Sequence, residues 1–285
     1  MDTMLHFGDN NLADNFMTMD ELRKACPVAF KENPTNPKVS DRYVQANTAT
    51  VIEDLKKLGW RPVQAKQCRE KKGSSGIRSF HLVAFQNPDV KIVKQNADGT
   101  ETIDAYPRII LTNSHDGFNS FKFMFGMYRI LCSNGLCVCD EEYENFSIRH
   151  INYTFDELRL IVKKSIEKVP NVVFTMNKMK STTASEEQKR EIATEVIRIR
   201  KDVNDEQKFD IDEETIMEIL SPVREEDRGD DLWTVFNVCQ EKLIKGGFMA
   251  IGNNKKVRKQ RGITSIKKDL DYNQRLWAFA TKYIA

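Results

Sequence analysis

Pro107-Arg-Ile-Ile-Leu-Thr-Asn-Ser-His-Asp-Gly117, followed by Phe121-Lys-Phe-Met-Phe-Gly-Met-Tyr-Arg-Ile-Leu-Cys-Ser-Asn-Gly135, is the stretch of this chain that decides its fold. An apolar run ends in short polar side chains and a glycine. A second apolar run ends in Cys132-Ser-Asn-Gly135. Apolar runs bounded by such clusters read as strands that meet turns. Phe121, Phe123 and Phe125 alternate onto one face, which marks that face as core. Arg108–Thr112 and Ser120–Leu131 are therefore expected as two long strands of a mostly antiparallel sheet.

Working outward, Trp60–Arg69 and Ile77–Asn87 alternate as paired strands do, joined by the basic, glycine-rich loop Glu70–Gly76. Lys91–Lys94 and Glu101–Ala105, around Asn96-Ala-Asp-Gly99, predict a small exposed hairpin. Asp41–Asn47 reads as a short strand and Phe146–Ile151 as an edge. Thr50-Val-Ile-Glu53 has the form of a capping box, with Val51, Ile52, Leu55 and Leu58 on one helical face before Gly59. A short helix is expected around Met19–Ala25.

After Thr154 the period becomes helical. Thr154-Phe-Asp-Glu157 resembles a second capping box, and the helix that follows is expected to stop at Pro170. Further helices are predicted over Ser185–Arg200, Asp212–Leu220, Asp231–Lys245 and Asp269–Ile284. Between the last two, Gly246–Arg261 reads as a loop or disordered basic segment. The expected fold is α+β: a mostly antiparallel sheet with a flanking helix, followed by a helical C-terminal region. The organisation read from the chain is an irregular arm (1–40), an α+β sheet domain (41–153) and a helical region (154–285) with a basic loop at 246–268.

Composition narrows the class. With 285 residues, 40% hydrophobic and 30% charged, and a mean hydropathy of −0.54, the chain has the profile of a soluble globular protein. No apolar run approaches the length of a membrane helix, and the N-terminus lacks a secretory pattern. Cys26, Cys68, Cys132, Cys137, Cys139 and Cys239 are scattered in apolar contexts, which fits buried thiols in a reducing cytoplasm. The net charge of +2 hides a segregation: acidic residues predominate over 186–231, whereas nine cations between Lys255 and Lys282 face only Asp269 and Asp271. Such asymmetry marks either an anion-binding surface or a basic tail docked on the protein's own acidic helices.

Asn, Ser, Asp and Gly in Asn113–Gly117 are what a tight turn after a strand requires. His115 is the surplus residue, and with Asp116 it offers a proton-transfer or metal-ligand pair. His81, inside an apolar strand, reads as a core histidine. Cys132, Cys137 and Cys139 lack the spacing of zinc knuckles, so no metal is expected. There is no Walker A, GxGxxG or GxSxG sequence, and no cofactor is implied. Basic residues in Trp60-Arg61, in Gln67–Lys72 and in Lys255–Arg261 suit phosphate contact rather than base reading.

Ile110–Gly117, Arg129-Ile-Leu-Cys-Ser-Asn-Gly-Leu136, Arg149-His150 and Leu232-Trp-Thr-Val-Phe-Asn237 together resemble the phage/plasmid-like protein family, domain of unknown function 932, over about residues 40–284. The resemblance implies a setting in phages, prophages and plasmids, where replication, recombination and anti-defence proteins are common company. It carries no settled activity. Cys137-Val-Cys139 and Met249–Arg261 depart from the family's pattern.

The expected function is a cytoplasmic, non-catalytic nucleic-acid-binding protein acting on single-stranded or recombining DNA. Arg69, Lys71, Lys72, Lys255, Lys256, Arg258, Lys259 and Arg261 would contact phosphates, with homo-oligomerisation extending the groove and no membrane partner. One alternative is a hydrolase or nuclease built on Asn113, His115, Asp116, Arg129 and His150, with His115 as base and an arginine stabilising anionic charge. The other is a protein that blocks a host defence factor.

Overall fold

The structure, a computed structural model, describes residues 3–7, 16–36, 39, 47–68, 78–96, 98–119, 121–129, 135–138, 147–148, 154–203, 211–251 and 256–284. Strand β1 (Thr3–Phe7) comes first. Helix α1 (Met19–Ala25) follows, closed by a reciprocal capping box between Thr18 and Glu21. Helix α2 (Thr48–Lys57) starts earlier than the Thr50 box predicts. The Asn47 side chain accepts the Ala49 N–H, so asparagine, a strong N-cap, fixes the start and leaves Thr48 in the first turn. The strand expected at 41–47 falls largely outside the described residues.

The central elements are β2 (Arg61–Gln67), β3 (His81–Gln86), β4 (Val90–Gln95), β5 (Glu101–Asn113), β6 (Phe121–Arg129), β7 (Gly135–Val138) and β8 (Ser147–Ile148). Then come α3 (Phe155–Ser181), α4 (Glu186–Lys201), α5 (Glu213–Leu220), α6 (Leu232–Lys245), β9 (Met249–Ile251), β10 (Val257–Lys259) and α7 (Ile266–Thr281). Pro170 does not stop α3. It sits exposed inside the helix, which is anchored by buried Leu158, Ile161 and Val162 before it and by Val172, Val173, Met176 and Met179 after it. Burial on both sides outweighs the donor that the Ile166 carbonyl loses. The segment 246–261 is likewise more ordered than its composition suggests. β9 and β10 pair antiparallel, and Gly247 N–H donates to the Gln260 carbonyl at their base (2.9 Å).

Strand β5 is the spine of an eight-stranded antiparallel sheet. One side pairs with β6 over Ala105–Thr112, Ala105 opposite Arg129 and Thr112 opposite Lys122. The other side is split: β4 pairs over Glu101–Ala105 and β3 over Arg108–Asn113. The region read as a small exposed hairpin is therefore half of this spine, and Ile92, Val93 and Ala105 are buried. Pro107 falls in the gap between β4 and β3, where a residue without N–H interrupts pairing least. β1 extends β4 and β2 extends β3, while β7 and β8 pair with opposite ends of β6.

The period of two along β5 and β6 sends Ile109, Leu111, Phe121, Phe123 and Phe125 to one face. There Val83, Phe85, Ile109, Leu111, Phe121 and Phe123 pack with α1, α2 and the first half of α3. Further along, Ile92, Ala105, Phe125 and Met127 join the second half of α3, α4, α5, α6, Phe248, Ala250 and α7 in one core. The opposite face, Leu82, Ala84 and Ile110, receives Ile266 and Leu270 from the start of α7. Among the described residues no helix is long and apolar enough to cross a membrane.

Candidate functional site

The end of β5 and the turn after it form a buried polar clasp. Asn113, Ser114 and His115 are 0% exposed and Asp116 2%. Thr48 arrives from the first turn of α2, Ser79 and His81 from the start of β3, and Thr35 and Asn36 from the preceding arm. Asp116 accepts from Ser114 Oγ (2.6 Å), Ser79 N–H (3.0 Å) and Phe118 N–H (3.0 Å). His115 N–H donates to Ser79 Oγ (2.6 Å), and its carbonyl accepts from Thr35 N–H (2.7 Å). Asn36 Nδ2 donates to the Asp116 carbonyl (3.1 Å). The turn chemistry expected of this motif is thus realised, with four chain segments tied together by it.

The imidazoles stand edge to face, 5.1 Å apart, with Thr48 between them. His81 Nδ1 lies 2.6 Å from the Ser79 carbonyl, which only accepts, so Nδ1 carries the proton. Burial lowers the His81 pKa to about 4, leaving the ring neutral near pH 7 with Nε2 as acceptor. Thr48 Oγ1 donates its single hydrogen there (2.9 Å). It must then accept from both other neighbours, Asn113 Nδ2 (2.9 Å) and His115 Nε2 (3.2 Å). His115 is therefore protonated at Nε2. Burial pushes the Asp116 carboxyl up, but hydrogen bonds from Ser114, Ser79 and Phe118 outweigh it and hold the group below the usual carboxylate range. As a site for acid–base work the cluster is shut off from solvent, because each of its groups is buried.

Of the residues assigned to the alternative constellation, Asn113, His115 and Asp116 converge. Arg129 does not join them: its backbone pairs with Ala105, eight residues along β5 from Asn113, about 27 Å at strand rise. Cys132, Cys139, Arg149 and His150 lie outside the described residues, as do Arg69, Lys71, Lys72 and Lys255. Composition did not reveal Thr48, Ser79 or His81 as partners of the motif, because they come from two other segments, the start of α2 and the start of β3. The one local signal was Asn47, whose cap places Thr48 in the first helical turn.

Two further features stand at the surface. Gly117, at φ +76°, is followed by Phe118, which is 70% exposed. A Cβ at Gly117 would sit 2.9 Å from Val39 Cγ1, so glycine is required there on both counts. The second feature is the β9–β10 ribbon. Phe248 and Ala250 turn into the core, while Met249 and Val257 are exposed beside Lys256, Arg258, Lys259 and Arg261. Thr215 Oγ1 and Glu218 Oε2 hold the Met249 backbone. The half-buried Arg200 guanidinium donates to the carbonyls of Leu243 and Arg261. Among the described residues Arg258, Lys259 and Arg261 have no carboxylate partner. Elsewhere the tail does make ion pairs: its Arg275 docks on Asp202 (3.3 Å), and its Asp269 takes Lys66 of β2 (3.2 Å).

Fold and site together define an α+β protein whose split antiparallel sheet ends in a buried polar clasp and whose helical region carries a basic ribbon. The sequence pattern described as "Domain of unknown function (DUF932)" matches residues 37–277, and the chain belongs to that family. It is similar to the UPF0380 proteins YfjQ and YafZ of Escherichia coli (strain K12), each 29% identical over 284 residues, covering 96% of this chain and 94% of theirs. No solved structure matches it.

Proposed function

We propose that the protein binds nucleic acid, single strands in preference, with the β9–β10 ribbon as its phosphate-contacting element. The observation that carries this reading is the set of exposed cations Arg258, Lys259 and Arg261, which lack carboxylate partners among the described residues. A cation without an internal partner is free to displace counterions from a polyanion. Lys256 extends the same stretch. Arg78, exposed just before β3 and close in sequence to Arg69, Lys71 and Lys72, adds charge beside the sheet. Hydrolysis at Asn113, His115 and Asp116 has less support, since that cluster is closed and Arg129 lies far along the spine.

The test is fluorescence anisotropy with labelled single-stranded and duplex DNA at two salt concentrations. Wild type and a variant carrying Arg258→Glu, Lys259→Glu and Arg261→Glu would be compared. Binding should weaken steeply with salt, and the variant's salt slope should fall by about 2, near 0.7 for each lost phosphate contact on a single strand. No binding at low salt, or full binding by the charge-reversed protein, would overturn the proposal.

A further inference from the structure

The clasp does more than close a turn: it presents an aromatic ring to solvent. Phe118 N–H is held by the Asp116 carboxylate, and the residue before it is a glycine whose conformation and close contact with Val39 admit no side chain. The ring that emerges has no ring or cation partner among the described residues, although most large apolar side chains here are buried. Its neighbourhood is cationic. Asn119 accepts from Lys267 Nζ, which also stands over the Phe80 ring at 5.0 Å. Arg78 directly precedes Ser79, whose N–H the Asp116 carboxylate accepts, so the two cations and the clasp share one end of the sheet.

We infer that Phe118 is a base-stacking residue for single-stranded nucleic acid, flanked by Arg78 and Lys267 as phosphate contacts. This rests on the nucleic-acid reading and adds a second contact point to it. Arg261 of the ribbon and Lys267 are only six positions apart, so their Cα atoms are at most about 22 Å from each other. One strand of nucleic acid can therefore touch both places. An exposed aromatic within a positive surface fits a ligand with negative charge and flat apolar rings. Duplex DNA, whose bases are already stacked, offers the charge without the rings.

The experiment uses the full chain and an oligothymidylate probe. Phe118→Ala should weaken single-strand binding at least about fivefold, from the energy of one base–aromatic stack, and leave duplex affinity unchanged. Because the ring is exposed, its removal should leave the melting temperature in place. Phe118→Trp should show fluorescence quenching with oligothymidylate but not with an abasic oligonucleotide of equal length. If Phe118→Ala binds like wild type while the ribbon charge reversal abolishes binding, the stacking site is overturned and the nucleic-acid reading stands. If wild type binds neither probe at low salt, both fall. A Phe118→Trp signal that responds equally to the abasic strand would also overturn the stacking role.

Discussion

At the scale of single residues, His81 gives the structure a dependence on pH whose sign is fixed. Its folded pKa of about 4 lies below the ordinary histidine value, so the unfolded chain binds the proton more readily. The stabilisation is complete above pH 6.5 and is lost as pH falls toward 4. Over that window the loss should reach about 3 kcal/mol, measured by urea unfolding at a series of pH values. His81→Gln should flatten the profile while lowering stability at pH 7. A wild-type profile already flat from pH 6.5 to 4 would contradict the buried neutral imidazole. Asp116 is the second such residue. Asp116→Asn should lower the urea midpoint with an unchanged slope, corresponding to about 1–3 kcal/mol, because a carboxamide cannot accept all three hydrogen bonds. The sequence displayed the turn chemistry of Asn113–Gly117 plainly. It did not display Thr48 and Ser79, because hydrogen bonds between distant segments leave no periodic trace.

Among the elements, long strands and capped helices were legible wherever periodicity and local chemistry agreed. Helix α4 begins after Ser185 and α6 after Asp231, as the cap residues indicate. Misreadings fell where tertiary burial overrode a local signal. Pro170 marks a helix end by every local rule, yet α3 continues because both its halves are buried. Pro170→Ala should therefore stabilise the protein by about 1–3 kcal/mol, seen as a raised melting temperature, since it restores a donor without disturbing the core. Gly246 makes the opposite case. It sits at φ +70° and a Cβ there would lie 2.5 Å from the Gln260 carbonyl oxygen. Gly246→Ala should destabilise by more than about 2 kcal/mol and loosen the ribbon, with faster amide exchange at Gly247 and Gln260. Retention of wild-type stability would show that the ribbon base is not as close as described.

For the whole molecule, the boundary at residue 153 marks a change of composition, but the packing runs across it. Strand residues Ile92, Ala105, Phe125 and Met127 share one core with α3, α4, α6 and α7, while α3 also enters the core beneath α2. We expect one cooperative unfolding transition, with tryptophan fluorescence and far-UV circular dichroism coinciding. Two separated transitions would show that 41–153 and 154–285 behave as independent domains. The charge asymmetry was legible as composition, but which cations are spent on internal acids was not, since Arg275 and Arg258 look alike until their neighbours are known.

The split flank of β5 also bears on the order in which a ribosome delivers this chain. β2 with β3, and β1 with β4, are complete before β5 exists, but each is only a two-stranded pair, too slight to persist in water. The strand that splices them end to end is finished only at Asn113, and helices α3 to α7, which complete the cover of the sheet, follow after residue 154. Until Asn113 has been made the nascent chain therefore carries apolar strands with nothing durable to join, and that is the interval in which a chaperone would find it.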